Sequence, residues 1–364
     1  MRSPEIGKQY EALDQAIARI AYAYGFTSAP VALAQKHAKS DDPTERNVSL
    51  SVSLLKNAKD ETTQIWGTAK GPKKTSTLSF AMLSTKHPVA HAVVVKTVLS
   101  IAERAGFSDL SVLVSSVGDH ESKKRFTREL STFFKKNADD IPTSLRQIAA
   151  QDPDKAYRAL LDSKDPLAER APRRIDYLSE SSRKTMLDTL SLFESIEIPY
   201  VLESSLPATK DVHAELLFAV EGTDKKGNRV RIASGGRLDE YLKTHGKDGV
   251  SAVAMSLTLP MRVDVGEVTE EPTCFVVHVG DVAKLKTFGV VEELWKANLL
   301  VGQMLLAENL RRQMDEARDS GAKNVAIIGQ REAIDSTVIV RSLKNQTQTT
   351  VPQDRLVKEL SKKR

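Results

Sequence analysis

The sequence predicts a chain of mixed helices and strands, with antiparallel pairing in its longer first part and an α/β layer at its end. Three observations carry this. Leu216–Gly222 and Arg229–Ser234 read as strands around the polar turn Thr223–Asn228, with Gly227-Asn228 as the hairpin signal. His87–Ala105 carries a strong amphipathic helical pattern, ends at Gly106 and leads to a strand at Leu110–Val114. From Cys274 onward, apolar runs and helical patterns alternate, which argues a mixed sheet with helices on it.

In chain order, the first helix spans residues 4–25, with apolar positions at Ile6, Tyr10, Leu13, Ile17, Ile20, Ala21 and Tyr24. Phe26–Val31 is extended around Pro30, and residues 36–47 are polar and read as a loop. Strands follow at Val48–Leu55, Gln64–Thr68 and Leu78–Leu83, the last after the turn Gly71–Ser76. Beyond the helix and strand already named come a basic helix at Lys123–Lys135, a helical stretch to residue 185, a helix at Thr185–Ile196 and an extended Pro199–Leu202. Val250–Leu259 is a strand of small apolar residues. The acidic Val265–Pro272 is a linker. The final part reads as strand Cys274–Val279, helix Val290–Ala297, strand Leu299–Met304, helix Ala307–Ser320 and strand Asn324–Ile328. A turn at Gly329–Ile334, strands Ser336–Leu343 and Gln346–Val351, and helix Gln353–Lys362 close it.

Composition bounds the function. The 364 residues are 40% apolar, enough for ordinary cores in two or three domains. No run of 18 apolar residues occurs, so no membrane helix is expected, and the N-terminus lacks a signal-peptide core. One cysteine, Cys274, excludes an intrachain disulfide and a cysteine-based metal cluster, and the expected location is cytoplasmic. The net charge of +5 suits a polyanionic partner without requiring one. Aromatics at 5% argue against a base-stacking platform. His87 and His91 have metal-ligand spacing, but no third ligand is near in sequence, so no metal site is expected. Neither a Walker pattern nor GxGxxG is present.

The chain is organised around Ala233-Ser-Gly-Gly-Arg-Leu-Asp239. Gly235 and Gly236 admit a backbone or ligand where a Cβ would clash, and Arg237 and Asp239 place a cation and an anion on that rim. A bulge with a surface ion pair is the plain reading of the same residues. With the helix at 239–242 and the strand at 250–259, the segment resembles the second histidine signature of histidyl-tRNA synthetases. Ser115-Ser-Val-Gly-Asp119, Asp162-Ser-Lys164 and Ala171-Pro through Tyr177-Leu178 are similar to segments of the same family in the same order. Residues 309–332, with Val340–Leu343 and Thr350–Pro352, resemble the anticodon-binding domain of class IIa synthetases.

The resemblance implies a class II synthetase-like α+β core at 1–265, an antiparallel sheet with helices and a helical insertion at about 120–185. It also implies an anticodon-binding-type α/β domain with a mixed sheet at 273–364. It assigns Gly235, Gly236, Arg237, Asp239 and Asp211 to a histidine-pocket-like site, and Arg311, Arg312 and Lys344 to tRNA phosphates. The family's activating arginines have no counterpart. The first falls at Lys70, the second at Ala208, and the last strand reads Ser256-Leu-Thr-Leu259. The family's pocket tyrosines fall at Val212 and His213. A lysine does not restore a bidentate guanidinium, and losing one preorganised donor typically costs a hundredfold or more.

Two functions stay open on these residues. One is a catalytically degenerate paralogue that binds tRNA or regulates a synthetase-like or metabolic-enzyme partner, needing no cofactor. The regulatory subunit of ATP phosphoribosyltransferase is such a relative, although it usually lacks the C-terminal domain. The other is a divergent active histidine–tRNA ligase using ATP and Mg2+, with Lys70 as its catalytic cation. The family's dimerisation through the core makes a homodimer the expected state.

Overall fold

The computed structural model describes residues 4–28, 64–70, 74–163, 165–208, 212–245, 249–266 and 268–362, with side chains from residue 13 onward. The expected loop at 36–47, the strand at 48–55, Asp211, Lys164 and part of the turn at 71–76 lie outside them.

Helix α1 (Pro4–Ala23) leads to β1 (Thr27–Ser28), and β2 (Gln64–Lys70) and β3 (Ser76–Leu83) form an antiparallel pair. Helix α2 (Val89–Ala105) ends where Gly106 takes φ +94° and its N–H returns to Ala102 and Glu103, a left-handed cap that suits glycine. Strand β4 (Ser108–Gly118) is longer than the sequence suggests and absorbs the Ser-Ser-Val-Gly segment. Asp119 then caps α3 (His120–Lys136) by accepting from the Ser122 N–H at 2.8 Å. The helices α4 (Thr143–Gln151) and α5 (Pro153–Asp162) and two 3-10 turns form a small helical unit around Phe126, Leu130, Phe134, Tyr157 and Leu160.

Helix α6 (Glu180–Ser195) and β5 (Tyr200–Leu202) return the chain to the sheet. The hairpin forms as expected from β6 (Ala214–Thr223) and β7 (Arg229–Arg237). The Asp224 carboxylate accepts from the N–H groups of Lys226 and Asn228 at 2.8 and 2.9 Å, while Gly227 turns through φ +83°. A short α7 (Asp239–Thr244) precedes β8 (Ala252–Leu259). The sheet order is β1-β2-β3-β8-β7-β6-β4-β5, antiparallel except for the two outermost pairings.

The C-terminal domain holds β9 (Cys274–His278), α8 (Asp281–Lys296), β10 (Val301–Gln303), α9 (Leu310–Asp319) and β11 (Asn324–Ile328). It continues through α10 (Gln330–Asp335), β12 (Thr337–Ser342), β13 (Gln348–Pro352) and α11 (Leu356–Lys362). Its sheet is mixed, β10-β9-β11-β12-β13, parallel across the first three strands. Two expectations are corrected here. Helix α8 begins nine residues before Val290, because Gly280 at φ +87° turns the chain out of β9 at Asp281. The expected turn after Gly329 is helix α10, whose Glu332 carboxylate reaches back to the Gly329 N–H at 3.0 Å.

One face of the large sheet is covered by α2 and α6 over a continuous apolar core that also takes in α1 and the C-terminal domain. Lys96 on α2 pairs with Glu292 on α8 at 2.7 Å across that contact.

Candidate functional site

Side chains alternate across a strand, so β3, β8 and β7 each present two different surfaces. Leu78, Phe80, Met82, Val253, Met255 and Leu257 enter the core under α2. The opposite surface carries Thr77 and Ser79 of β3, then Ser256 and Thr258 of β8 and Ser234 of β7. These make cross-strand hydroxyl pairs, Ser79 with Ser256 at 2.5 Å and Thr77 with Thr258 at 3.3 Å. Further along, Leu113 and Val117 of β4 and Leu217 and Ala219 of β6 form an apolar cluster with Leu206 and Ala208. At its hairpin end this surface also carries charge: Glu221 of β6 pairs with Arg231 of β7 at 3.3 Å, and Arg231 reaches the space beside Gly235.

Arg237 lies on the other surface. It pairs with Val253 of the core face, and its side chain is 3% exposed. Its Nη2 donates to the Thr85 carbonyl at 2.9 Å, its Nη1 to His91 Nε2 at 3.3 Å and its Nε to Asp239 at 3.3 Å. Asp239 also accepts from the Ala252 N–H at 2.8 Å and the Ser251 hydroxyl at 3.2 Å. The pair therefore ties β7, α2 and the start of β8 together. Its members are occupied with the fold. Lys70 shares the parity of Trp66, whose partner Phe80 is in the core, and it ends β2 exposed to solvent.

The glycines have a structural reason. A Cβ on Gly235 would meet the Ala254 carbonyl at 2.0 Å and the Met255 Cα at 2.6 Å. One on Gly236 would meet the Leu216 carbonyl at 2.4 Å. Beside them the described residues enclose about 20 Å³, with Leu206, His213, Leu217, Arg231, Ser234 and Gly235 among its walls. On this measure one water needs roughly 10–15 Å³, so the space holds a water and not an amino acid. Roomier clefts of about 660 and 520 Å³ lie along α1, at its contact with the C-terminal domain.

The remaining candidates separate. Ala208 is buried in the apolar cluster, Val212 packs beside α7, and His213 is buried with its carbonyl accepting from Lys123 Nζ at 2.8 Å. His87 accepts from the Val89 N–H at 3.1 Å and precedes α2, whereas His91 is wholly buried within it. No group of three metal-binding side chains occurs among the described residues. Arg311, Arg312 and Lys344 are exposed on the C-terminal domain. Two residues escaped the sequence reading. Glu215 is pushed up by burial, and its Oε2 has no hydrogen-bond partner. Arg174 is a buried cation whose basic run, residues 170–174, gave no sign of which member turns inward.

Comparison with known proteins follows the same division. Residues 273–363 match the family model described as an anticodon binding domain. The chain is 26% identical over 291 residues to the histidine–tRNA ligase of Thermosynechococcus vestitus, covering 78% of this chain and 67% of that ligase. It is 25% identical over 279 residues to the ligase of Limosilactobacillus fermentum, covering 73% and 64%. The crystal structure of apo histidyl-tRNA synthetase from S. aureus superposes with a TM-score of 0.54 at 18% identity, over 98% of this chain and 97% of that one. The chain is a histidyl-tRNA synthetase-like protein. Against the ligase of Prochlorococcus marinus strain AS9601 the match spans 57% of the relative's length. The synthetase-like fold is therefore present, with a C-terminal domain of the anticodon-binding type.

Proposed function

We propose that this synthetase-like protein is catalytically degenerate and acts as a tRNA-binding or regulatory paralogue through its C-terminal domain. The observation that carries the reading is the position of its cations. Adenylation develops negative charge on the α-phosphate, and preorganised cations there are the largest catalytic contribution. On the sheet surface away from α2, β3 and β8 present Thr77, Ser79, Ser256 and Thr258, Ala208 stands in an apolar cluster, and Arg231 of the hairpin is already paired with Glu221. Arg237 faces the opposite way, with each of its three nitrogens engaged by Thr85, His91 or Asp239. Among the described residues, β3 and β8 therefore offer no cation to ATP with Mg2+, and the space beside Gly235 is smaller than histidine.

The test is histidine-dependent ATP–pyrophosphate exchange by the purified chain with Mg2+, with calorimetric titration of histidine alongside. Silence in the exchange assay is expected. Exchange above background overturns the reading in favour of an active ligase, and makes Lys70 the first residue to substitute. Histidine binding without exchange redirects the reading to a histidine-responsive regulator.

A further inference from the structure

Where the helical unit meets the sheet, a further cavity of about 70 Å³ opens. Its walls carry three cations, Lys123, Arg158 and Arg174, against one carboxylate, Asp154. Arg174 is 6% exposed, and its guanidinium lies 5.4 and 5.2 Å from the ring centres of Phe126 and Tyr157. Its polar contacts are thin. Nη1 donates to the Leu206 carbonyl at 3.4 Å, and Nη2 stands 3.9 Å from Asp154. A guanidinium has five donors, and a buried charge is costly unless it is paired and hydrogen-bonded. Asp154 is itself shared, accepting from the Thr127 hydroxyl at 2.9 Å.

The neighbouring cations add to that cost. Burial pushes the Arg174 guanidinium below its ordinary range, the Tyr157 and Asp154 groups oppose this, and the charge of Arg158 pushes it down further. Arg158 has no ion-pair partner among the described residues. Lys123 Nζ donates to the His213 carbonyl at 2.8 Å and lies 3.4 Å from Glu240. The facing wall includes Ala208, which offers no charge.

We infer that this cavity binds a phosphate-class oxyanion, held by Arg158 and Arg174 with Lys123 at its edge. One water needs roughly 10–15 Å³ on this measure, so about 70 Å³ takes one tetrahedral anion and excludes a nucleoside. The anion supplies the negative charge that Asp154 alone does not, and accepts the donors Arg174 leaves unused. The group is either a free ion or the terminal phosphate of a larger ligand reaching in. This goes beyond the proposed function, because the cations come from the helical unit and their anion is bound whether or not the exchange assay is silent.

The experiment is calorimetric titration of the whole chain with inorganic phosphate at low ionic strength. Saturable one-site binding is expected. Arg158→Ala should weaken it about ten- to a hundredfold, the loss of one or two charge-assisted hydrogen bonds. Arg158 is only half-buried, so this variant should keep the wild-type circular dichroism and melting temperature, and Arg158→Lys should recover part of the affinity. Lys226→Ala, in the exposed hairpin turn, should change nothing. Titration with pyrophosphate and ATP distinguishes the sources: tighter binding with the same Arg158 dependence marks a larger ligand, and equal or weaker binding marks the free ion. Absence of saturable phosphate binding, or a folded Arg158→Ala protein within twofold of wild type, overturns the inference.

Discussion

The guanidinium of Arg237 lies 3.3 Å from Nε2 of His91 and so fixes the tautomer of a fully buried imidazole. An arginine only donates, so Nε2 accepts and Nδ1 carries the proton. That proton faces the Thr189 hydroxyl at 3.4 Å, which in turn donates to the Thr185 carbonyl at 2.9 Å. The chain of contacts links β7 through α2 to α6. It also explains why a motif that looks like a substrate rim is spent inside the protein.

A pH dependence follows from this pair. Burial first, and the Arg237 charge second, hold His91 well below its ordinary value. The unfolded histidine titrates near ~6.5. Its folded value is the lower one, so the stability it contributes is full above that pH and drains as pH falls below it. Urea midpoints should therefore fall between pH 7 and 5.5. His91→Gln should flatten this slope by up to about 1.4 kcal/mol per pH unit, the worth of one proton. His87 and His278, both lowered by burial and by Lys284, keep part of the slope in that variant. Parallel profiles for wild type and variant would show that His91 is not the titrating group.

Gly235→Ala should be among the most damaging single substitutions in the sheet. The added methyl meets the Ala254 carbonyl and the Met255 Cα, backbone atoms that cannot swing aside. We expect a loss of about 3 kcal/mol or more in chemical denaturation. Gly227→Ala provides the contrast, because its φ is +83° but nothing lies within 4 Å of the new methyl. Only the left-handed backbone resists there, at about 1–2 kcal/mol. Equal losses at the two positions would mean that β7 and β8 can separate without cost.

Ala208→Arg tests whether one missing arginine is all that separates this chain from an adenylating one. Ala208 is buried among Leu113, Val117, Leu206, Leu217 and Ala219. A guanidinium there has no carboxylate in the cluster and would face the cavity where Lys123, Arg158 and Arg174 already outnumber Asp154, and a buried charge without adequate pairing costs several kcal/mol. The expected result is a destabilised protein that remains silent in ATP–pyrophosphate exchange. A stable variant that gains exchange would show that the surface still accepts the reaction.

Much of the architecture was legible because local chemistry and tertiary demand agree. The Gly227-Asn228 turn, the Gly106 cap and the apolar runs of β3, β8 and β9 each have one good solution. The helix α10 was hidden because its six residues after Gly329 carry turn-like polarity, and its start depends on a side chain reaching back to a backbone N–H. The direction of Arg237 was hidden for a different reason. Sequence gives the alternation within β7, but which parity faces α2 depends on the register with β8 and on its bulges. The cation at Arg174 was hidden by company, since Arg170, Arg173 and Arg174 look alike until a fold buries one.

The last prediction concerns RNA. If the C-terminal domain binds tRNA as proposed, the exposed cations Arg311, Arg312 and Lys344 are placed to meet phosphates. Arg311 is 91% exposed, and its only ion pair among the described residues, to Asp315, is 4.0 Å long. Such a pair is worth about 1 kcal/mol or less and does not hold the side chain back. Each phosphate contact removed should lower the slope of log affinity against log salt by about 0.7–0.9. The double variant Arg311→Ala, Arg312→Ala should therefore bind unfractionated tRNA more weakly at 50 mM KCl and lose up to about two contacts' worth of slope. Fluorescence anisotropy between 50 and 300 mM KCl measures both. Weaker binding with an unchanged slope would place these arginines outside the phosphate contacts, and no binding by the wild-type chain would remove tRNA from the proposed function.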